Sequence, residues 1–186
     1  MKKMAMMCMA CLFALGTAGT SQAQTSDSNQ RMQQRITREV RHELVMMPQL
    51  SIFDNLAYKV DGDTVTLLGQ VRNAFLKDEA GKAVRNIEGV ERVNNQIEVL
   101  PVSFNDDRIR REVARAIFND SRLFPYSIQS LPPIHIIVKN GQVSLEGVVR
   151  DQADKNTAGI RANGVPGVFA LQNNLKVETS SQQVKK

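Results

Sequence analysis

Residues 65–73 read VTLLGQVRN and residues 143–151 read VSLEGVVRD. The phrases lie 78 positions apart, and the offset holds far beyond them. Val60 matches Val138, Val65 matches Val143, Leu67 matches Leu145, and Gly69 matches Gly147. Arg72 matches Arg150, Ala80 matches Ala158, and Gly89-Val90 matches Gly167-Val168. Asn95, Ile97 and Val99 match Asn173, Leu175 and Val177. Upstream of residue 50 the offset falls to 73, pairing Ile36, Val40 and Leu44 with Ile109, Val113 and Ile117. The second copy therefore carries about five extra residues around Pro125-Tyr126 and Pro132-Pro133. Self-similarity at a fixed period marks a repeated folding unit.

Each copy obeys the same local rules. Ile36, Val40 and Leu44, and then Ile109, Val113, Ala116 and Ile117, fall on one face of a helix. Leu56, Tyr58 and Val60 alternate as a strand does, and so do Ile134, Ile136 and Val138. The turns that follow, Gly62-Asp63 and Asn140-Gly141, suit type II′ and type I′ hairpins. The opening phrase is the second strand, with Gly69 and Gly147 inside it, where glycine marks a bulge or a close approach. Asn73 and Asp151 are good N-caps for the next helix, which Gly89 and Gly167 are expected to stop. Val93–Val99 and Leu171–Val177 close each unit as a last strand.

The order helix, strand, strand, helix, strand needs a right-handed crossover, which makes the last strand parallel to the second. The expected class is α+β: two tandem two-layer units, each with a three-stranded mixed sheet. The first unit spans 31–100, a linker 101–106, and the second unit 107–178. Residues 24–30 read as a flexible lead-in and 179–186 as a disordered tail.

Lys2 and Lys3, an apolar run from Met4 to about Leu15, and Ser21-Gln22-Ala23 form the pattern of a secretory signal peptide over 1–23. The run is shorter than the ~20 residues of a spanning helix. Both cysteines, Cys8 and Cys11, lie within it, so cleavage leaves no thiol and no disulfide. Of 24 basic residues it removes two, lowering the formal charge of +5 to a mild +3.

The strand-glycine phrases Val65–Val71 and Val143–Val149, with Gly89-Val90, Gly167-Val168 and the closing strands, resemble the BON domain family. That family is named for bacterial osmotic-shock and nodulation proteins. Signal peptide, two such domains and a short tail resemble periplasmic proteins of the OsmY type. The resemblance implies envelope stress, osmotic stress and contact with phospholipid surfaces, and no enzymatic activity.

The residues agree with a non-catalytic reading. Catalysis needs a nucleophile, a base and an orienting group. The only histidines are His42, on the polar side of the first helix, and His135, pointing away from its strand's apolar face. Two isolated histidines do not make a zinc site, and no cofactor is implied. One feature is polarised: Arg108, Arg111, Arg115 and Arg122 recur within about 80° on a helical wheel, with Phe118 on the same stripe. A basic stripe bearing an aromatic suits an anionic lipid surface. The leading expectation is a periplasmic module that docks on anionic phospholipid through its second unit. The alternative is a protein-binding adaptor or chaperone-like factor engaging envelope proteins. Nucleic acid is excluded by export and by scarce aromatics.

Cleavage after Ala23 makes Gln24 the first residue of the exported protein. Intact-mass measurement on envelope fractions reads this directly, and Met1 retained on cytosolic protein refutes it.

Overall fold

The computed structural model describes residues 21–178. The expected signal peptide lies almost wholly outside the described residues, and the tail 179–186 lies entirely outside them. The first unit comprises α1 (Ser21–Val45), β1 (Asn55–Asp61), β2 (Thr64–Val71), α2 (Ala74–Arg85), β3 (Arg92–Asn95) and β4 (Glu98–Val99). The second comprises α3 (Phe104–Phe118), α4 (Phe124–Ser127), β5 (Ile134–Lys139), β6 (Gln142–Val149), α5 (Gln152–Asn163), β7 (Ala170–Asn173) and β8 (Lys176–Val177). In each, an antiparallel hairpin is followed by a crossover helix and a parallel return. The mixed sheet is the one the repeat predicts.

The last strand of each unit is broken. β3 and β4 both run parallel to β2, with Gln96 and Ile97 between them. Asn95 makes the break: its Oδ1 accepts the Ile97 N–H at 3.2 Å, and its Nδ2 donates to the Lys77 carbonyl in α2 at 2.7 Å. Asn173 repeats this with Leu175 and Lys155, at 3.4 and 2.8 Å. Gly81 and Gly159 supply the space on the helix, since a Cβ there would come within 2.9 and 2.8 Å of the asparagine nitrogen. Ile97 and Leu175 are thereby turned into the two cores, each 1% exposed.

The hairpins have the expected turns. Asn140 and Gly141 both take positive φ, 52° and 75°, as type I′ demands, whereas in the Gly62-Asp63 turn only Gly62 does so, at 60°. Gly69 and Gly147 sit at φ 110° and 116°. A Cβ at either would fall on a neighbouring carbonyl oxygen, that of Asn55 or Pro133. The close approach is therefore by the adjacent strand.

Four boundaries differ from the sequence reading. Residues 24–30, expected as a flexible lead-in, open α1, because no Gly or Pro interrupts Ser21–Val45. The linker ends at Ser103 and not at 106: the Ser103 side chain caps the Asp106 N–H at 3.2 Å, and Asp106 and Asp107 favour the positive end of α3. Gly89 and Gly167 do not stop α2 and α5, which end at Arg85 and Asn163. They lie in the following turns at φ 91° and 95°, where α1 and α3 pack closely on them. Finally, the extra residues of the second copy build α4, which places Leu123 and Tyr126 in the second core.

The units are joined by more than a linker. The Ile136 N–H in β5 donates to the Ile52 carbonyl at 2.7 Å, so a strand edge of the second unit is extended by a loop of the first. Ile52 and Phe53 pack against the second core. Arg72 lies 5.6 Å from the Phe53 ring centre and 3.6 Å from Asp107, and Lys139 lies 2.5 Å from Glu98.

Gly147→Val forces both a disfavoured φ and overlap with the Pro133 carbonyl, so a loss of about 3 kcal/mol is expected in urea unfolding. Gly69→Val should behave alike. Gly62→Ala has open space around it and should cost only the ~1 kcal/mol of left-handed backbone.

Candidate functional site

The structure divides the five residues of the basic stripe. Arg108 is bound into the fold: it donates to Glu112 at 2.8 Å, to Asn105 at 3.0 Å and to the Pro166 carbonyl at 3.2 Å. Its counterpart in the first copy is Arg35, which donates to the Glu88 carboxylate at 2.8 Å and to the Glu88 carbonyl at 3.4 Å. Each arginine thus ties the first helix of its unit to the turn before the last strand. Phe118 is half-buried and packs against the second core.

Arg122 leaves the stripe altogether. α3 ends at Phe118 with Asn119 as its cap, so the helical wheel does not reach residue 122. Arg122 instead meets Asp151 at 2.7 Å, and its Nε lies 2.5 Å from Asp154 Oδ1. Asp154 is fully buried. Its Oδ2 accepts the Tyr126 hydroxyl at 2.5 Å and faces Arg150 Nε at 3.3 Å. The Tyr126 hydroxyl oxygen in turn accepts the Arg150 backbone N–H at 2.9 Å. Burial raises the pKa of the Tyr126 hydroxyl above its ordinary value. The Asp151 carboxyl is held below its ordinary range, first by the Asp154 N–H that it accepts and then by Arg122. Arg122 and Arg150 balance the buried Asp154 charge as ion pairs, although Oδ1 itself accepts no hydrogen bond among the described residues.

Arg111 and Arg115 remain. Both are exposed, and neither forms an ion pair among the described residues. Arg115 lines a groove of about 710 Å³ between α3 and α5, beside Ile160, which is 73% exposed.

Two aromatics escaped the sequence reading. Phe104 is 91% exposed in the first turn of α3. It stands seven and eleven residues before Arg111 and Arg115, hence on their side of the helix. Phe169 is 84% exposed. Its N–H donates to the Gly141 carbonyl at 2.9 Å, while the Gly141 N–H donates to Asp106 at 2.9 Å. That chain of bonds places Phe169 at the end of the unit where α3 begins. The repeat carried a signal for both, because their counterparts in the first copy are the charged Arg31 and Glu91.

The histidines take structural positions. His42 is exposed, 3.7 Å from Glu43. His135 is half-buried at the junction, with Nδ1 2.7 Å from the Asp54 carbonyl oxygen. Burial keeps its imidazole pKa below the ordinary value. Among the described residues, no three His, Cys, Asp or Glu side chains are grouped as a metal site requires. No helix among them is long and apolar enough to cross a membrane.

Comparison with known proteins places this geometry in a family. The model of the BON domain matches residues 33–101 and again 105–179. The chain is 33% identical over 109 residues to the outer membrane lipoprotein DolP of Haemophilus influenzae, covering 56% of this chain and 53% of that protein. It therefore spans about half the length of that relative. It is 28% identical over 152 residues to osmotically-inducible protein Y of Escherichia coli, covering 77% of this chain and 71% of that one.

Arg122 and Arg115 are separable by stability. Arg122→Ala deprives the buried Asp154 of a partner and should cost about 2 kcal/mol, below the 3–5 typical of a fully buried pair because Arg122 is itself part-exposed. Arg115→Ala should stay within about 0.5 kcal/mol. Chemical denaturation of the two variants checks the contrast.

Proposed function

The chain belongs to the BON domain family, and from that premise we propose that it is a non-catalytic envelope-stress protein, exported to the periplasm, that docks on anionic phospholipid through its second unit. The sequence relation to an osmotically inducible protein and to an outer membrane lipoprotein supports the envelope assignment. The observation that carries the lipid reading is an asymmetry between the copies. The second unit presents two exposed phenylalanines, Phe104 and Phe169, at one end, with Arg111 and Arg115, unpaired among the described residues, along the adjoining helix face. The first unit has Arg31 and Glu91 in place of the aromatics.

The division of labour follows from the chemistry. An exposed aromatic gains by leaving water for the headgroup and acyl boundary. A guanidinium near an anionic surface contributes about 1 kcal/mol, within a Debye length. Arg108 and Arg122 spend their donors on the fold, and Phe118 spends its area on the core. Insertion therefore falls to Phe104 and Phe169, and attraction to Arg111 and Arg115.

Flotation with phosphatidylglycerol-containing vesicles tests this. Arg111→Glu with Arg115→Glu removes two attractions and adds two repulsions, so binding at low salt should fall by well over about tenfold. Phe104→Ser with Phe169→Ser should weaken binding at low and high salt alike, because burial of a ring is not screened. Reversal of Arg31 and Arg38 in the first unit should change little. Indifference of the unaltered protein to the vesicles, or equal effects of both reversals, refutes the reading.

A further inference from the structure

The junction between the units is filled by backbone on one strand edge and not on the other, where Gln33 Nε2 reaches only the Val60 carbonyl at 3.1 Å. At β5 the Ile136 N–H is taken by the Ile52 carbonyl at 2.7 Å, with Ile52 and Phe53 against the core. The repeat puts Tyr58 of β1 in the place of Ile136: Tyr58 pairs with Leu67 as Ile136 pairs with Leu145. The residues that would serve Tyr58 as Ile52–Asp54 serve Ile136 are Ser130, Leu131 and Pro132. They make no backbone bond to β1 among the described residues, and no carbonyl there takes the Tyr58 N–H.

A cleft of about 550 Å³ lies at this unserved edge. Its walls include Leu44, Leu56 and Leu131, and Tyr58 lines it. Two cations, Arg41 and Lys176, also line it; both are exposed and neither has an ion-pair partner among the described residues. Lys176 is the counterpart of Glu98, which bonds Lys139 across the filled half of the junction. The open half thus has the charge of an unmatched partner.

We propose that this cleft receives an extended peptide that adds to the edge of β1. The peptide's carbonyl accepts the Tyr58 N–H, an apolar side chain enters between Leu44, Leu56 and Leu131, and a carboxylate faces Arg41 and Lys176. Strand addition takes affinity from the main chain and specificity from side-chain pockets. An unpaired strand edge is a template for it, and the chain's own Ile52 segment shows the mode on the sister edge. The pair of cations selects acidic sequences. This surface is separate from Phe104, Arg111 and Arg115, so the inference does not rest on lipid docking.

The probe is a fluorescein-labelled peptide of the chain's own residues 50–56, Leu-Ser-Ile-Phe-Asp-Asn-Leu, titrated with the full chain and followed by anisotropy. Saturable binding is expected. Arg41→Glu with Lys176→Glu should weaken it at least about tenfold, and so should replacement of the peptide's Asp by Lys. Amide exchange at Tyr58 should slow at least about tenfold on saturation. The double variant should float with vesicles as the unaltered protein does, which keeps this test apart from the lipid one. Absence of saturable binding, full affinity in the double variant, or an unchanged Tyr58 amide overturns the proposal. So does saturable binding of a fluorescent medium-chain fatty acid where the peptide does not bind, which makes the cleft an acyl-chain site.

Discussion

A side-chain amide set into a notch of a helix holds each unit together. Asn95 bridges β3 and α2 through the space that Gly81 leaves, and Asn173 does the same through Gly159. A parallel return strand has no hairpin to fix its register, so something must tie it to the crossover helix. The asparagine does this with both ends of its amide: one end reaches the helix, and the other bends the strand. Ile97 and Leu175 enter the cores only because of that bend. Return strand, crossover helix and the buried Ile97 or Leu175 all meet at it.

On this common frame the copies have diverged at their surfaces. The second has an insertion that brings Tyr126 to Asp154 and recruits Arg122 and Arg150 around a buried carboxylate. It also presents aromatics where the first presents charges. Arg35 and Arg108, by contrast, do the same work in both units. Sameness across the repeat marks the frame, and difference marks what each copy adds. By that criterion Arg108 belongs to the frame, and Phe104 and Phe169 are additions.

Much of the fold was legible because it is written in periodicities. Helical and strand spacing placed the elements of both units other than α4, and hairpin chemistry placed both turns. The strand break was not legible as a pattern, since one asparagine reaching a helix carbonyl leaves no periodic trace. Yet Gly81 and Gly159 share the offset of Asn95 and Asn173, so the repeat contained the clue. The basic stripe reaches Arg122 only on a wheel carried past Asn119, where α3 ends. Phe104 falls in the expected linker, whereas the Ser103 cap makes it the first residue of α3. The tie between Ile52 and Ile136 joins residues far apart in sequence and of ordinary composition, which no local rule connects.

That tie also gives the chain a direction. Ile52 and Phe53 are synthesised before β5, the edge that covers them, so the plug exists before its socket. Until Ile136 arrives, the first unit carries two apolar side chains and an acceptor carbonyl with nowhere to go. A nascent chain halted after residue 100 would hold a complete first core and an uncovered hydrophobic loop beside it. The first core is complete within its own unit, but the loop beside it is covered only by the second.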